Sequence, residues 1–149
     1  MPRLSCWFVR SSFINLVLGF VLGGFILAAK GGADPTVWLW LPAHGDALLV
    51  GWLVQFGMGM AYWLFPRISG SRGAVWPVKL AFWALTLGLV MGAGLPTLWL
   101  FFPAQTWLHD IMPFGFAMQV MALGLFLLNL WRRAYVYITP VIAPSIPLT

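Results

Sequence analysis

Residues 41–67 read LPAHGDALLVGWLVQFGMGMAYWLFPR, and this stretch decides the fold. Between Asp46 and Arg67, its only amide or charged side chain is that of Gln55. A helix needs roughly 20 apolar residues to cross a bilayer, so the stretch is predicted to be a membrane span. Four such spans are predicted, at residues 11–29, 38–65, 74–102 and 105–131. We therefore predict an all-α integral membrane protein whose four transmembrane helices form a bundle.

The composition of the whole chain excludes a soluble domain. Hydrophobic residues make up 62% of the 149 residues and charged residues only 7%, whereas soluble domains have about 25% charged residues. Disordered chains are polar and rich in charge, so disorder is excluded as well. The single cysteine, Cys6, excludes a disulfide within the chain. The basic residues lie at the ends of apolar runs and do not cluster, so no nucleic-acid partner is expected.

The distribution of basic residues predicts the orientation in the membrane. Seven of the eight lie before span one, at the second break or after span four, and only Lys30 lies on the other side. Cytoplasmic loops carry the excess of Lys and Arg. We therefore expect a multi-pass protein of the cell membrane with both termini in the cytoplasm.

Glycine and proline mark the breaks between the spans and the end of the domain. Turn chemistry occurs at residues 30–35, 66–73 and 103–104. The apolar segment after residue 133 contains prolines that interrupt any long helix, at Pro140, Pro144 and Pro147. We expect one transmembrane domain, residues 1–133, followed by a tail, residues 134–149, that lies along the inner surface or against a partner.

Both histidines of the chain lie early in a predicted span. His44 is in span two and His109 is in span four, and these spans run in the same direction. Arg67 follows the first histidine by 23 residues, and Arg132 follows the second by the same number. The spacing is compatible with an internal repeat of two helices, and the positions of the histidines predict that the two imidazoles lie at similar depth near the outer face.

Two imidazoles at one depth on parallel helices are typical of a bis-histidine haem site. Gly45 and Gly51 are expected to leave room beside His44, because residue 51 is seven positions on and faces the same way. Pro113 lies four residues after His109 and cannot donate to its carbonyl, so a local kink is expected there. The prediction is one haem per chain, with His44 and His109 as the ligands of the iron.

Other interpretations of these polar residues stay open. The histidines could both be wetted side chains at the outer surface. A divalent metal could bind His44, His109, Asp46 and Asp110, although each aspartate points away from its neighbouring histidine on a helix. The remaining polar residues within the spans are expected to form hydrogen bonds between helices, namely Gln55, Gln119 and Asn129. The glycine pairs at positions 19 and 23, and 88 and 92, favour close helix contacts or a dimer face.

Residues 41–67 resemble the second transmembrane helix of the catalytic subunits of haem–copper oxidases and nitric oxide reductases, especially the cb-type oxidases. There a histidine after a proline-containing stretch opens the helix, and an aromatic-rich end leads into a basic residue. The resemblance implies that His44 is an axial ligand of a low-spin haem b. Residues 107–133, WLHDIMPFGFAMQVMALGLFLLNLWRR, resemble the later helix with the opposite ligand, which implies the same role for His109.

The chain departs from that family in having no further histidine. The reducing centre of the family needs several more, so this protein is not expected to reduce oxygen or nitric oxide. The predicted function is one-electron transfer by a b-type cytochrome, between a quinol in the membrane and a redox partner at the outer face. A homodimer or a place in a larger complex is compatible with it. The alternative is an accessory subunit without a cofactor in a respiratory or photosynthetic complex. A gas sensor or a small transporter is less favoured.

Overall fold

A computed structural model describes residues 1–29, 35–65, 74–98, 101–102, 104–105 and 107–138. All regular structure in these residues is helical. Four helical stretches are long and apolar enough to cross a membrane, and we call them spans 1 to 4: Arg3–Ala29, Thr36–Leu64, Trp76–Leu98 and Met112–Ala134. The predicted all-helical chain with four helices of membrane length is therefore confirmed.

Span 1 is a single uninterrupted helix, α1, Arg3–Ala29. Span 2 begins within a 3-10 helix, Pro35–Trp40, and continues as α2, Leu41–Asp46, a π-helical segment, Ala47–Val54, and α3, Gln55–Leu64. Span 3 consists of α4, Trp76–Leu89, a second π-helical segment, Val90–Gly94, and α5, Leu95–Leu98. A short α6, Trp107–Asp110, precedes α7, Met112–Ile138, which contains span 4.

The two π-helical segments arise where a helix hydrogen bond is lost. In span 2, Asn15 of α1 donates to the carbonyl of Gly51 at 3.3 Å. The Gln55 N–H, which would use that carbonyl in an α-helix, bonds to the carbonyls of Val50 and Trp52. In span 3, Pro96 has no N–H for the carbonyl four residues earlier. Both segments therefore mark places where the helical ladder is disturbed.

Prolines and buried residues set the helix limits. Pro42 and Pro77 lie in the first turns of α2 and α4, where a missing N–H costs no helix bond. Span 2 ends at an extended Phe65, as expected for a residue before proline. Span 1 begins at residue 3 and not at 11, because its first turns are buried in the bundle. Helix α7 runs to residue 138, into the predicted tail, and residues 139–149 lie outside the described part of the chain.

The hydrophobic core lies toward one end of the bundle, which we call the arginine end because Arg3, Arg132 and Arg133 lie there. Phe8 is fully buried, with its ring centroid 5.1 Å from that of Phe82 and 5.9 Å from that of Phe126. Other core side chains come from all four spans: Leu4, Met58, Tyr62, Val78, Leu85 and Leu130. The buried Arg133 guanidinium lies over the Tyr62 ring and donates to the Phe65 carbonyl at 2.6 Å. The arginine end is therefore closed.

Adjacent spans pack antiparallel, with glycines at the closest contacts. A Cβ on Gly115 would overlap the backbone of Gly92, so spans 3 and 4 touch directly there. A Cβ on Gly59 would lie 2.8 Å from the Cβ of Phe8, between spans 2 and 1. The close helix contacts expected at the glycine pairs 19 and 23, and 88 and 92, are confirmed. We call the opposite end of the bundle, where His44 lies, the histidine end.

Candidate functional site

The His44 imidazole faces span 1. Its Nδ1 lies 2.8 Å from the carbonyl oxygen of Gly19. A carbonyl only accepts hydrogen bonds, so this contact requires the hydrogen on Nδ1. The lone pair of the neutral ring is then on Nε2. Span 1 thus fixes both the tautomer and the direction of the ring, as carbonyl partners do for metal-binding histidines.

Close packing against Gly23 holds the same ring from the side. A Cβ at residue 23 would lie 2.6 Å from Cε1 of His44 and 3.5 Å from its Nε2. Only glycine leaves space for the imidazole at this distance. Residues 19 and 23 are four apart, so they lie on one face of α1, and the His44 ring packs against that face.

A pocket of about 330 Å³ lies beside His44. Apart from the histidine, its lining is apolar: Gly23, Ile26, Leu27, Trp38 and Leu41. Leu27 is 71% exposed and Trp38 50% exposed, so the pocket opens at the surface of the bundle. All its walls come from span 1 and from the beginning of span 2. An imidazole with a free Nε2 beside such a pocket can bind the iron of a flat, apolar group.

Of the two glycines expected to leave room beside His44, Gly45 borders open space and Gly51 does not. A Cβ on Gly45 would meet no atom within 4 Å, so there is open space beside the residue that follows His44. Gly51 lies on the face toward span 1, as its spacing from His44 predicts. A Cβ there would lie 2.7 Å from Cγ of Asn15, so the room expected beside Gly51 is filled by that side chain.

The helix around His109 is interrupted, as expected from Pro113. Helix α6 ends at residue 110 and α7 begins at residue 112, with Ile111 in a turn between them. The N–H of Phe114 bonds to the carbonyl of Ile111 at 3.1 Å, three residues earlier. The backbone of His109 lies in α6, and its side chain lies outside the described part of the structure.

The register of spans 2 and 4 gives the relative levels of the histidines. Asp46 and Gln119 are joined by a hydrogen bond of 2.8 Å, in which the amide donates to Oδ2. His44 is two residues before Asp46, whereas His109 is ten residues before Gln119. By helix rise, the backbone of His109 lies roughly 10 Å nearer the end of the bundle than that of His44. The two histidines share an end of the bundle, but the matched depth expected from their spacing is not observed in the backbone.

A network of polar side chains crosses the bundle below His44. Asn15 donates to the Gln55 side-chain carbonyl at 3.1 Å, between spans 1 and 2. Gln119 donates both to Asp46 and to the Gly88 carbonyl, at 3.2 Å, and so joins span 4 to spans 2 and 3. Near the arginine end, Asn129 donates to the Ala74 carbonyl at 3.3 Å. The predicted hydrogen bonds between helices are confirmed for Gln55 and Gln119, whereas Asn129 bonds to the segment that precedes α4.

A second cavity, a cleft between spans 1, 2 and 3, was not predicted. Its volume is about 230 Å³. Three of its lining residues are polar, Asn15, Asp46 and Thr97, and the others are small or apolar: Leu18, Val21, Leu22, Ala43, Ala47, Leu89, Val90, Ala93 and Gly94. Both π-helical segments contribute to the lining. The sequence feature that pointed to this region was the carboxylate of Asp46, which lies early in an apolar span. The cleft itself depends on how the spans pack.

The alternative of a divalent metal site has no support in the described residues. No group of three or more His, Cys, Asp or Glu side chains converges among them. Asp46 is bound by an amide from span 4 and His44 by a carbonyl from span 1, so these two neighbours in sequence face different spans.

Comparisons with known proteins give no further identification. No protein-family model matches the sequence, and no curated protein or solved structure is significantly similar to the chain.

Proposed function

We propose that this protein is a b-type cytochrome of the cell membrane, in which His44 is an axial ligand of one haem b and His109 is the second. The observation that carries the proposal is the hydrogen bond from Nδ1 of His44 to the Gly19 carbonyl. Histidines that bind metals almost always use their other ring nitrogen in this way. Among the described side chains, that of His44 is the histidine that lines an apolar pocket.

The residues around His44 suit a ligand of haem iron. The Gly19 carbonyl orients the ring and fixes its tautomer. Gly23 lets the ring lie against α1, and Ile26, Trp38 and Leu41 give the pocket beside it apolar walls. When bound, haem would supply an iron that accepts and returns one electron, and His44 and His109 would be the residues that hold it.

The second ligand requires α6 to approach the level of His44 and to reach its pocket, whose walls come from spans 1 and 2. This short helix is separated from α7 by the turn at Ile111, and Pro113 removes the hydrogen bond to the carbonyl of His109. A different position of α6 would therefore leave the α7 helix of span 4 intact. Both termini are proposed to lie in the cytoplasm, which puts the haem near the outer face of the membrane. A membrane quinol and an acceptor outside the cell membrane are the redox partners that fit this location.

The test is an absorption spectrum of purified protein and of two variants, His44→Ala and His109→Ala. Wild type is expected to show the sharp reduced bands of low-spin haem. Each variant should lose the haem or shift to a high-spin spectrum, because one ligand is removed. Asn129→Ala is the control, since it changes a polar residue near the arginine end. Low-spin spectra in both histidine variants would refute the assignment.

The second candidate is an accessory subunit without a cofactor. It is favoured by span 1, of which only 17% of the most apolar window is buried. Its exposed side chains include Phe13, Val17, Phe20 and Phe25, a surface that lipid or a larger subunit could cover. A purified protein that shows no haem bands and copurifies with a larger membrane complex would favour this candidate.

A further inference from the structure

We propose that the cleft between spans 1, 2 and 3 binds the hydroquinone head of a membrane quinol, in preference to the oxidised quinone. The binding claim depends on the cleft alone. The role of that quinol as the electron source rests on the function proposed above.

The cleft has the position and size of a site for one ring. It lies at the histidine end, because the core side chains close the bundle at the arginine end. Its volume of about 230 Å³ is enclosed mostly by aliphatic side chains, including Leu18, Leu22 and Leu89. Ala43 and Ala93 are small, so they leave space between the spans. An apolar ring from the membrane would bury its faces against these walls.

The polar atoms at the cleft belong to groups that can only accept further hydrogen bonds. Asp46 receives a bond at Oδ2 from Gln119, and no described residue donates to its Oδ1. The two amide hydrogens of Asn15 are shared among the side-chain carbonyl of Gln55 and the backbone carbonyls of Ser11 and Gly51, which leaves its own Oδ1 as an acceptor.

Thr97 completes this set of acceptors. Its hydroxyl hydrogen bonds to the Gly94 carbonyl at 2.6 Å, so only the lone pairs of the oxygen remain. Each of the three polar lining residues thus offers acceptors and no free donor.

The ligand must therefore bring donors. A hydroquinone has two phenolic O–H groups, whereas a quinone has only carbonyl acceptors. Placing a quinone carbonyl beside the Asp46 carboxylate would leave both oxygens without a partner, and unpaired polar groups in an apolar cleft are costly. The cleft should therefore distinguish two molecules of nearly equal shape by the direction of their hydrogen bonds.

The experiment measures binding of decylubiquinol and of decylubiquinone to the full-length protein in detergent. The rise of the unfolding temperature with ligand concentration gives the apparent Kd. Decylubiquinol is expected to bind roughly tenfold or more tightly than decylubiquinone, the factor for one hydrogen bond to a charged group. In Asp46→Asn, an amide hydrogen replaces an acceptor, so the preference should shrink or invert.

Two further variants make the test specific. Asp110→Asn changes an exposed carboxylate at the same end of the bundle, and both affinities should stay as in wild type. Thr97→Val removes one acceptor at constant shape and should weaken decylubiquinol severalfold, so it serves in place of Asp46→Asn if that variant does not fold.

Equal affinity for the two ligands, or a preference unchanged in both cleft variants, would overturn the proposal. Decylamine is a cation with a similar tail. If it displaces decylubiquinol at a concentration equal to or below that of decylubiquinol, the cleft is a cation site and the proposal is overturned. The measurement needs no haem. Donor-selective binding to a protein without haem bands would therefore refute the proposed function and retain the quinol site.

Discussion

Replacing Gly23 by alanine should disturb His44 without adding or removing a polar group. The new Cβ would lie 2.6 Å from Cε1 and 3.0 Å from Nδ1 of the imidazole. The ring must then move, and its hydrogen bond of 2.8 Å to the Gly19 carbonyl is lost or lengthened. Loss of such a partner typically lowers metal affinity 10–100-fold. We therefore expect Gly23→Ala to bind haem about 10–100-fold more weakly than wild type.

The neighbouring residue provides the matched control. A Cβ on Gly24 would meet no atom within 4 Å, so Gly24→Ala should leave haem binding unchanged. It should gain about 1 kcal/mol of helix stability, because alanine is the better helix former. In Gly23→Ala the same gain is offset by the contact with the imidazole and by about 0.5–1.5 kcal/mol for the hydrogen bond.

The assay is titration of the haem-free protein with haem, followed by absorption, together with thermal unfolding of both variants. Equal haem affinity in Gly23→Ala and Gly24→Ala would refute the reasoning that span 1 positions the ligand. Equal stability gains would show that the ring is not held against α1.

Three further perturbations test other parts of the structure. Gln119→Leu removes the donor to Asp46 and should lower the free energy of unfolding by about 1–3 kcal/mol, measured by denaturant titration; an unchanged value would show that the bond contributes nothing. Gly115→Ala should destabilise the contact between spans 3 and 4, because the backbone opposite has no side chain to move, whereas Gly124→Ala meets open space and should be neutral or stabilising in the same titration. A reporter enzyme fused after Thr149 should be active only in the cytoplasm, because seven of eight basic residues flank that side, and activity outside would reverse the topology.

The four spans could be predicted because each is a long apolar run that ends at Gly, Pro or charge. The predicted limits failed where tertiary contacts decide them. Span 1 starts eight residues earlier than predicted, since Leu4 and Phe8 are buried by the other spans. The π-helical segment in span 2 was also not predicted. It depends on an Asn15 side chain that reaches the Gly51 carbonyl from another helix, and no local pattern contains that information.

The candidate site was predictable in its residues and not in its geometry. His44 and the glycines at positions 19 and 23 were each singled out from the sequence. Their spacing does not reveal that the imidazole bonds to the carbonyl of the first glycine and packs against the second. The bond between Asp46 and Gln119 joins residues 73 apart in the sequence. Helix periodicity gives the face of each residue on its own helix, while the neighbour across the bundle is set by how the helices pack.

The most direct measurement of the central claim is the reduced-minus-oxidised absorption spectrum of the purified wild-type protein, with its haem-to-chain ratio. The account predicts sharp low-spin b-type bands and one haem per chain, because His44, with its Nδ1 bound to the Gly19 carbonyl, lines an apolar pocket. A featureless difference spectrum from folded protein that has been supplied with haem would contradict it.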